Sequence, residues 1–407
     1  MKPRRPERIQ SDEVTQDGEG RSTVAAPIEL RQGEMPGADK RGCKRSAMAD
    51  PFELWRLTWS TAISHGLEQF AEAIPGSAAL ARRRQSDAID LSAFPEFGRV
   101  RIELATMLLL EQRERARAKG PTVLIVAPYA VHDASIADFA DGHSLAQILA
   151  EAGSGFIALT FWKSATAEMR DYGIDAYLSD LNVAIDDLGG RASLVGLCQG
   201  GWLAAAYAAR FPGKVTKLVL AGAPIDLAAA ESGITRALAA VSQATLEEVM
   251  ALAGGWVSGP LSLALWSDEL SGEFSAEPAL QCVGDAALTA RFDDWNARAV
   301  DLPGAYFLQT AEWHFRENRL ARGCFPALGR LARLSDIDAP IFVLAAADDE
   351  IVALPQATAV KALCRATNVA VRVEPGRHLS LFMGQRTLGG AWREIAGWLT
   401  QRDNSVA

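Results

Sequence analysis

Short, uninterrupted apolar runs alternate along the middle of this chain with segments whose apolar residues recur every three or four positions. Val123-Leu124-Ile125-Val126-Ala127 is the first such run. Phe156-Ile157-Ala158-Leu159-Thr160-Phe161, Ala192-Ser193-Leu194-Val195 and Val215 to Ala221 follow, and each reads as a strand buried on both faces. Between them, Leu145, Ile148 and Leu149 mark one helix, and Ile174, Tyr177, Leu178, Leu181, Ile185 and Leu188 mark another. This alternation predicts an α/β architecture: a doubly wound, mostly parallel sheet covered on both faces. It stops at Asp226 and resumes with Ile341 to Ala346 and Val369 to Val373. A closing amphipathic helix carries Trp392, Ile395, Trp398 and Leu399.

The interruptions define the organisation. Residues 1–47 lack sustained apolar periodicity and mix charges, ten basic against nine acidic in the first fifty, so they are expected to form a disordered tail. Met48 offers an alternative chain start, with Asp50-Pro51 opening a helix. Phe52, Leu54, Trp55, Leu57, Trp59 and Ile63, then Leu67, Phe70 and Ile74, give an amphipathic helical pattern, so residues 48–119 are expected to be a helical N-terminal segment. The core then divides into a first half, 120–225, and a second half, 335–402. Residues 226–334 between them are helical in composition, broken at Gly254-Gly255 and Gly259-Pro260, and predict an inserted cap.

Composition narrows the options. Hydrophobic residues at 49% supply a large core for 407 residues, and charged residues stand at 22%. A net charge of −9 argues against nucleic acid as a partner. Five scattered cysteines, Cys43, Cys198, Cys282, Cys324 and Cys364, include no Cys-x-x-Cys pair. That disfavours a zinc site and a disulfide framework and suggests a reducing, cytoplasmic compartment. No apolar stretch predicts a transmembrane segment or a signal peptide.

The chemistry concentrates at Gly196-Leu197-Cys198-Gln199-Gly200-Gly201, between a predicted strand and an Ala-rich helix. Gly-x-Cys-x-Gly alone is a weak signal, because buried cysteine is common as a small hydrophobe. In this setting it resembles the nucleophile elbow of the α/β-hydrolase fold, with Cys in place of Ser. The tight turn lifts the sulfur above the sheet and points the N–H of Gln199 at a developing oxyanion. A second donor is expected from the backbone of Tyr129 or Ala130, since Pro128 has no N–H. A cysteine nucleophile needs a base, and the base an orienting acid, in the chain order nucleophile, acid, base. His378 follows the last predicted strand and Asp349 the one before it, with Asp348 as a rival acid. Taken singly, His378 reads as a loop histidine and Asp349 as a helix cap. The order of all three favours catalysis. His132 is expected in a loop or capping role, and His65, His143 and His314 at the surface or in the core.

These segments resemble the poly(3-hydroxyalkanoate) synthase family, and more distantly the intracellular depolymerases related to it. The Gly196–Gly201 box looks like the synthase lipase-like box. Val126-Ala127-Pro128-Tyr129, Ile136-Ala137-Asp138 and Ser144-Leu145 resemble the strand and loop ahead of it. Trp295-Asn296, Leu302-Pro303, Asn318-Arg319-Leu320 and Gly323 follow the order of the synthase cap. Asp349-Glu350-Ile351-Val352 resembles the family's Asp-His-Ile-Val, and Gly376-Arg377-His378 its Gly-His segment, so Glu350 and Arg377 are departures. Phe307-Leu308-Gln309-Thr310, Trp392-Arg393-Glu394-Ile395 and Gly222-Ala223-Pro224-Ile225-Asp226 look more like the depolymerase branch. The resemblance implies acyl transfer through a covalent Cys198 acyl-enzyme, with a 3-hydroxyacyl-coenzyme A thioester or polyester as substrate and no cofactor. It also implies a homodimer or a partner subunit, and a polyester granule surface. A hydrolase that shortens the polyester with the same Cys198, His378 and Asp349 is the alternative.

Overall fold

The computed structural model describes residues 89–401 apart from 114–119, 131, 260–271 and 367. The expected tail, the Phe52–Ile74 pattern, Cys43 and His65 lie outside the described residues.

Eight strands form one sheet: β1 Phe97–Glu103, β2 Met107–Gln112, β3 Thr122–Val126, β4 Phe156–Trp162, β5 Ala192–Leu197, β6 Val215–Ala221, β7 Ile341–Ala346 and β8 Val369–Glu374. They lie in the order β1-β2-β4-β3-β5-β6-β7-β8. All neighbouring pairs from β4 to β8 are parallel, while β2 runs antiparallel to both β1 and β4. The central strands are fully buried because their apolar runs face helices on both sides: every residue of β5 and β7 is buried. Among those helices, α1 Leu145–Glu151, α2 Ile174–Asp187 and α3 Gln199–Arg210 fill the first half. A helix at Arg393–Thr400 closes the second.

Two expectations need correction. The sheet begins at Phe97, not at Val123, so residues 48–119 are not helical throughout. The Arg99-Val100-Arg101-Ile102-Glu103 alternation is a strand signal of period two that the helical pattern upstream obscures. This edge carries charge: Arg99 and Arg101 both meet Glu111, with Arg101 Nη1 at 3.1 Å, which discourages pairing with a further strand. The 226–334 insertion, in turn, is not helical throughout. Besides helices at Gly233–Ala239, Gln243–Leu252, Ala286–Asn296 and Gly304–Gln309, it holds two small antiparallel strand pairs. One pairs Trp256–Val257 with Leu302–Pro303, the other Phe325–Ala327 with Arg330–Ala332. The second turns on Leu328 and Gly329, both at positive φ (48° and 73°), the geometry of a two-residue type I′ turn. Leu in place of the usual Asn or Gly hid that turn, and the carboxylate of Asp175 accepts the Leu328 N–H at 2.8 Å to hold it.

The strand register aligns the carboxyl ends of the central strands. Val126 pairs with Gly196, Leu197 with Ala221, Ala221 with Leu344, and Ala346 with Glu374. Loops leaving β3, β5, β7 and β8 therefore converge on one edge, the place where open α/β sheets bind ligands.

Candidate active site

Cys198 sits between the last residue of β5 and the first of α3, at φ 48°, ψ −118°. A non-glycine residue there costs on the order of 1–3 kcal/mol. The turn is over-determined by its bonds: Cys198 N–H donates to Ala221 O and Gly201 N–H to Cys198 O, both at 2.9 Å. Two glycines let the backbones approach. A Cβ on Gly200 would lie 2.2 Å from Val126 O and 2.5 Å from Ala127 O, and one on Gly201 would lie 2.4 Å from the Ala223 Cβ. Gly200→Ala is therefore expected to cost about 3 kcal/mol or more by overpacking against backbone that cannot move aside. A thermal melt tests this, and a midpoint within a degree or two of wild type would contradict the packing account.

Gln199 opens α3, so its amide N–H belongs to the first turn and has no intrahelical acceptor. Its side chain is turned away and accepts from Trp202 Nε1 at 2.5 Å. Tyr129 and Ala130 follow the end of β3, in the loop that begins beside Gly200. The Tyr129 hydroxyl donates to the carbonyls of Lys163 (3.0 Å) and Asp301 (3.3 Å), and its ring packs against Trp162, Tyr177 and Tyr306. That side chain anchors the loop to the cap.

The side chains expected to serve as acid and base meet. Asp349 Oδ2 lies 2.7 Å from His378 Nδ1, with the two side chains 1% and 3% exposed. Asp349 Oδ1 accepts the N–H groups of Ile351 (2.9 Å) and Val352 (2.7 Å), which fixes the carboxylate plane. Asp348 is exposed, and its backbone N–H donates to Gly376 O at 3.1 Å. Of the two rival acids, only Asp349 is bonded to the histidine.

The His378 ring packs edge-on against Phe382, with centroids 5.2 Å apart, and its Cε1 approaches Gly222. Nε2 makes no hydrogen bond of ordinary geometry among the described residues. Catalytic bonds are often long without substrate. Burial disfavours the charged ring, but the Asp349 carboxylate and the Cys198 sulfur outweigh it and hold the His378 pKa well above its ordinary value. A raised folded pKa stabilises the fold below the unfolded histidine value of about 6.5, and that stabilisation is lost as pH rises through the folded value. Asp349→Asn removes a cause of the raised value. The stability gap between wild type and variant should thus be widest near pH 6 and shrink toward alkaline pH. Denaturant titrations across that range check the sign, and a gap that widens with pH would contradict it.

The three other described histidines have structural partners. His132 stacks on Trp295 at 4.2 Å and its Nε2 meets Asn296 O at 3.3 Å, joining the loop after β3 to the cap. Burial lowers its pKa to about 4. His314 is fully buried against Trp202 and bonded to Pro224 O at 3.0 Å, and burial lowers its pKa to about 3. His143 Nδ1 meets Met383 O at 2.7 Å. Cys282, Cys324 and Cys364 are partly buried free thiols outside any elbow. Sequence reasoning missed Glu273, a cap carboxylate buried to 1% exposure that accepts the His378 backbone N–H at 2.8 Å. A single glutamate in an irregular segment carries no pattern by which to find it.

Among the described residues no cluster of His, Cys, Asp and Glu could hold a metal ion, and no helix is long and apolar enough to cross a membrane.

The elbow, the sheet order and the late acid and histidine define a class, and a family model described as "alpha/beta hydrolase fold" matches residues 159–384. The chain belongs to that family. Within it, the resemblance to the poly(3-hydroxyalkanoate) synthases is borne out by curated relatives. The chain is 27% identical over 306 residues to the poly(3-hydroxyalkanoate) polymerase subunit PhaC of Synechocystis sp., covering 69% of this chain and 76% of the relative. To the subunit of the same name from Allochromatium vinosum it is 21% identical, covering 78% and 91%. Among solved structures, it is similar to a bromoperoxidase from Bacillus anthracis, with 19% identity, TM-score 0.49, and coverage of 74% of this chain and 99% of that one.

Proposed function

We propose that the protein is an acyltransferase that polymerises 3-hydroxyacyl-coenzyme A into polyhydroxyalkanoate through an acyl group held on Cys198. One observation carries the reading: an elbow cysteine at the same strand ends as a buried, bonded His378–Asp349 pair. Relatives that are polymerase subunits support the substrate class. In this reading His378 Nε2 takes the thiol proton and the sulfur attacks the thioester carbonyl carbon. The bond to coenzyme A then breaks, and the imidazolium returns the proton to the departing thiolate. What remains is a 3-hydroxyacyl thioester on Cys198 and free coenzyme A. The hydroxyl of the next unit loses its proton to His378 and attacks the acyl carbonyl, which forms the ester and releases the sulfur for reloading. The N–H of Gln199 and one from Tyr129 or Ala130 receive the oxyanion at each attack.

Sulfur suits this cycle, because exchange between two thioesters is close to thermoneutral whereas a serine ester would be harder to lengthen. The coenzyme A thioester is a substrate, and the reading needs no cofactor. A second copy or a partner subunit, and the polyester granule surface, are the partners it implies, in a cytoplasmic setting. The relatives' description as subunits supports the first of these.

Intact-protein and peptide mass spectrometry after mixing with 3-hydroxybutyryl-coenzyme A and acid quenching is the test. One or more 3-hydroxybutyryl units are expected on the peptide bearing Cys198. An adduct on another cysteine, or none under turnover, would contradict the proposal.

A further inference from the structure

We propose that Glu273 is a positioning residue for His378, a cap carboxylate that ties the loop of the base to the loop of the acid. The inference rests on the proposed roles of Cys198, His378 and Asp349.

Glu273 lies in the insertion, yet its side chain reaches the sheet edge. Its Oε2 accepts the backbone N–H of His378 at 2.8 Å and its Oε1 accepts that of Glu350 at 2.9 Å. One carboxylate thus holds the base itself and the residue next to the acid, closing the exits of β8 and β7 on each other. Bonds from backbone N–H to a carboxylate are among the stronger hydrogen bonds, and 1% exposure keeps water from competing for them. Burial pushes the Glu273 carboxyl up, while the charge of His378 and the two N–H groups work the other way.

The two positions at which this chain departs from the synthase pattern reinforce the same clamp. Arg377 Nη1 lies 3.2 Å from Glu350 Oε2, so the departures pair with each other across the two loops. The residue before Glu273 admits that guanidinium: a Cβ on Gly272 would lie 2.6 Å from Arg377 Nη1. Partly exposed as it is, the ion pair contributes little alone. Glu273 is the buried element and the one expected to set where the imidazole ring stands relative to Cys198.

A peg that merely stabilised the fold would affect the sulfur equally at all pH values, whereas a positioning residue acts only where the sulfur depends on His378. The experiment measures alkylation of Cys198 by iodoacetamide at pH 7 and pH 10 in wild type and Glu273→Gln, with Cys198→Ala subtracting the other cysteines. At pH 10 a thiol ionises unaided. The expected result is a pH 7 rate reduced on the order of tenfold, an unchanged pH 10 rate, and a lowered kcat with KM for the thioester retained. Rates unchanged at both pH values, or lowered in parallel, would overturn the proposal. A wild-type rate at pH 7 no faster than that of a free thiol would overturn the Cys198–His378 reading itself, and the role of Glu273 with it. Glu273→Asp keeps the charge but is too short to span both loops, so it is expected to fall between the two and decides the matter if the Gln variant does not fold.

Discussion

Cys198→Ala should reduce thioester turnover to background, a loss of about 10⁴-fold or more, while the melting temperature stays near that of wild type. The size follows from the site: among the described cysteines only Cys198 stands at an elbow, with a buried histidine beside it. The variant keeps the helix N-terminus and the loop after β3, so substrate binding should survive and the loss should fall on kcat. Release of coenzyme A measured with a chromogenic thiol reagent reads the rate. Turnover within tenfold of wild type would remove Cys198 as the nucleophile.

Asp349→Asn should cost nearly as much and Asp348→Asn almost nothing. Asp349 is bonded to His378 Nδ1, whereas Asp348 is exposed and contributes a backbone bond that the substitution leaves in place. An amide at 349 can present its NH₂ to Nδ1 and stabilise the wrong tautomer, which turns the proton on Nε2 the wrong way. In serine proteases the equivalent change costs about 10⁴-fold, an upper guide for a cysteine, whose thiol ionises more easily. Rates for both variants at pH 7 decide the assignment, and the reverse ranking would transfer the acid role to Asp348.

The parts of this site that a sequence displays are those with a local steric or periodic cause. A Cβ on Gly200 would lie 2.2 Å from Val126 O and one on Gly201 2.4 Å from the Ala223 Cβ, and such constraints leave a motif. Strands buried on both faces, such as Leu194-Val195 in β5, leave apolar runs. Asp349 and Asp348 were equally legible, and only the fold distinguishes them by turning one carboxylate onto the histidine. The β1 edge was missed because its alternating charges face solvent and Glu111, without an apolar run to announce it. The proposed oxyanion donors are main-chain groups, so Tyr129 and Ala130 carry no side-chain signature. Glu273 reaches His378 across 105 residues of chain, a contact created by the cap alone.

The central claim is that Cys198 carries an acyl chain toward a polymer, and one measurement bears on it most directly. Purified protein is incubated with 3-hydroxybutyryl-coenzyme A, with and without amorphous polyester, while released thiol, insoluble polymer and free 3-hydroxybutyrate are followed together. The account predicts thiol release matched by insoluble polyester and little free acid, with a partner subunit added where the chain alone is slow. Release of monomers from preformed polyester without thioester-driven elongation would contradict it and make the protein a depolymerase. Thiol release matched by free 3-hydroxybutyrate alone would make it a thioesterase.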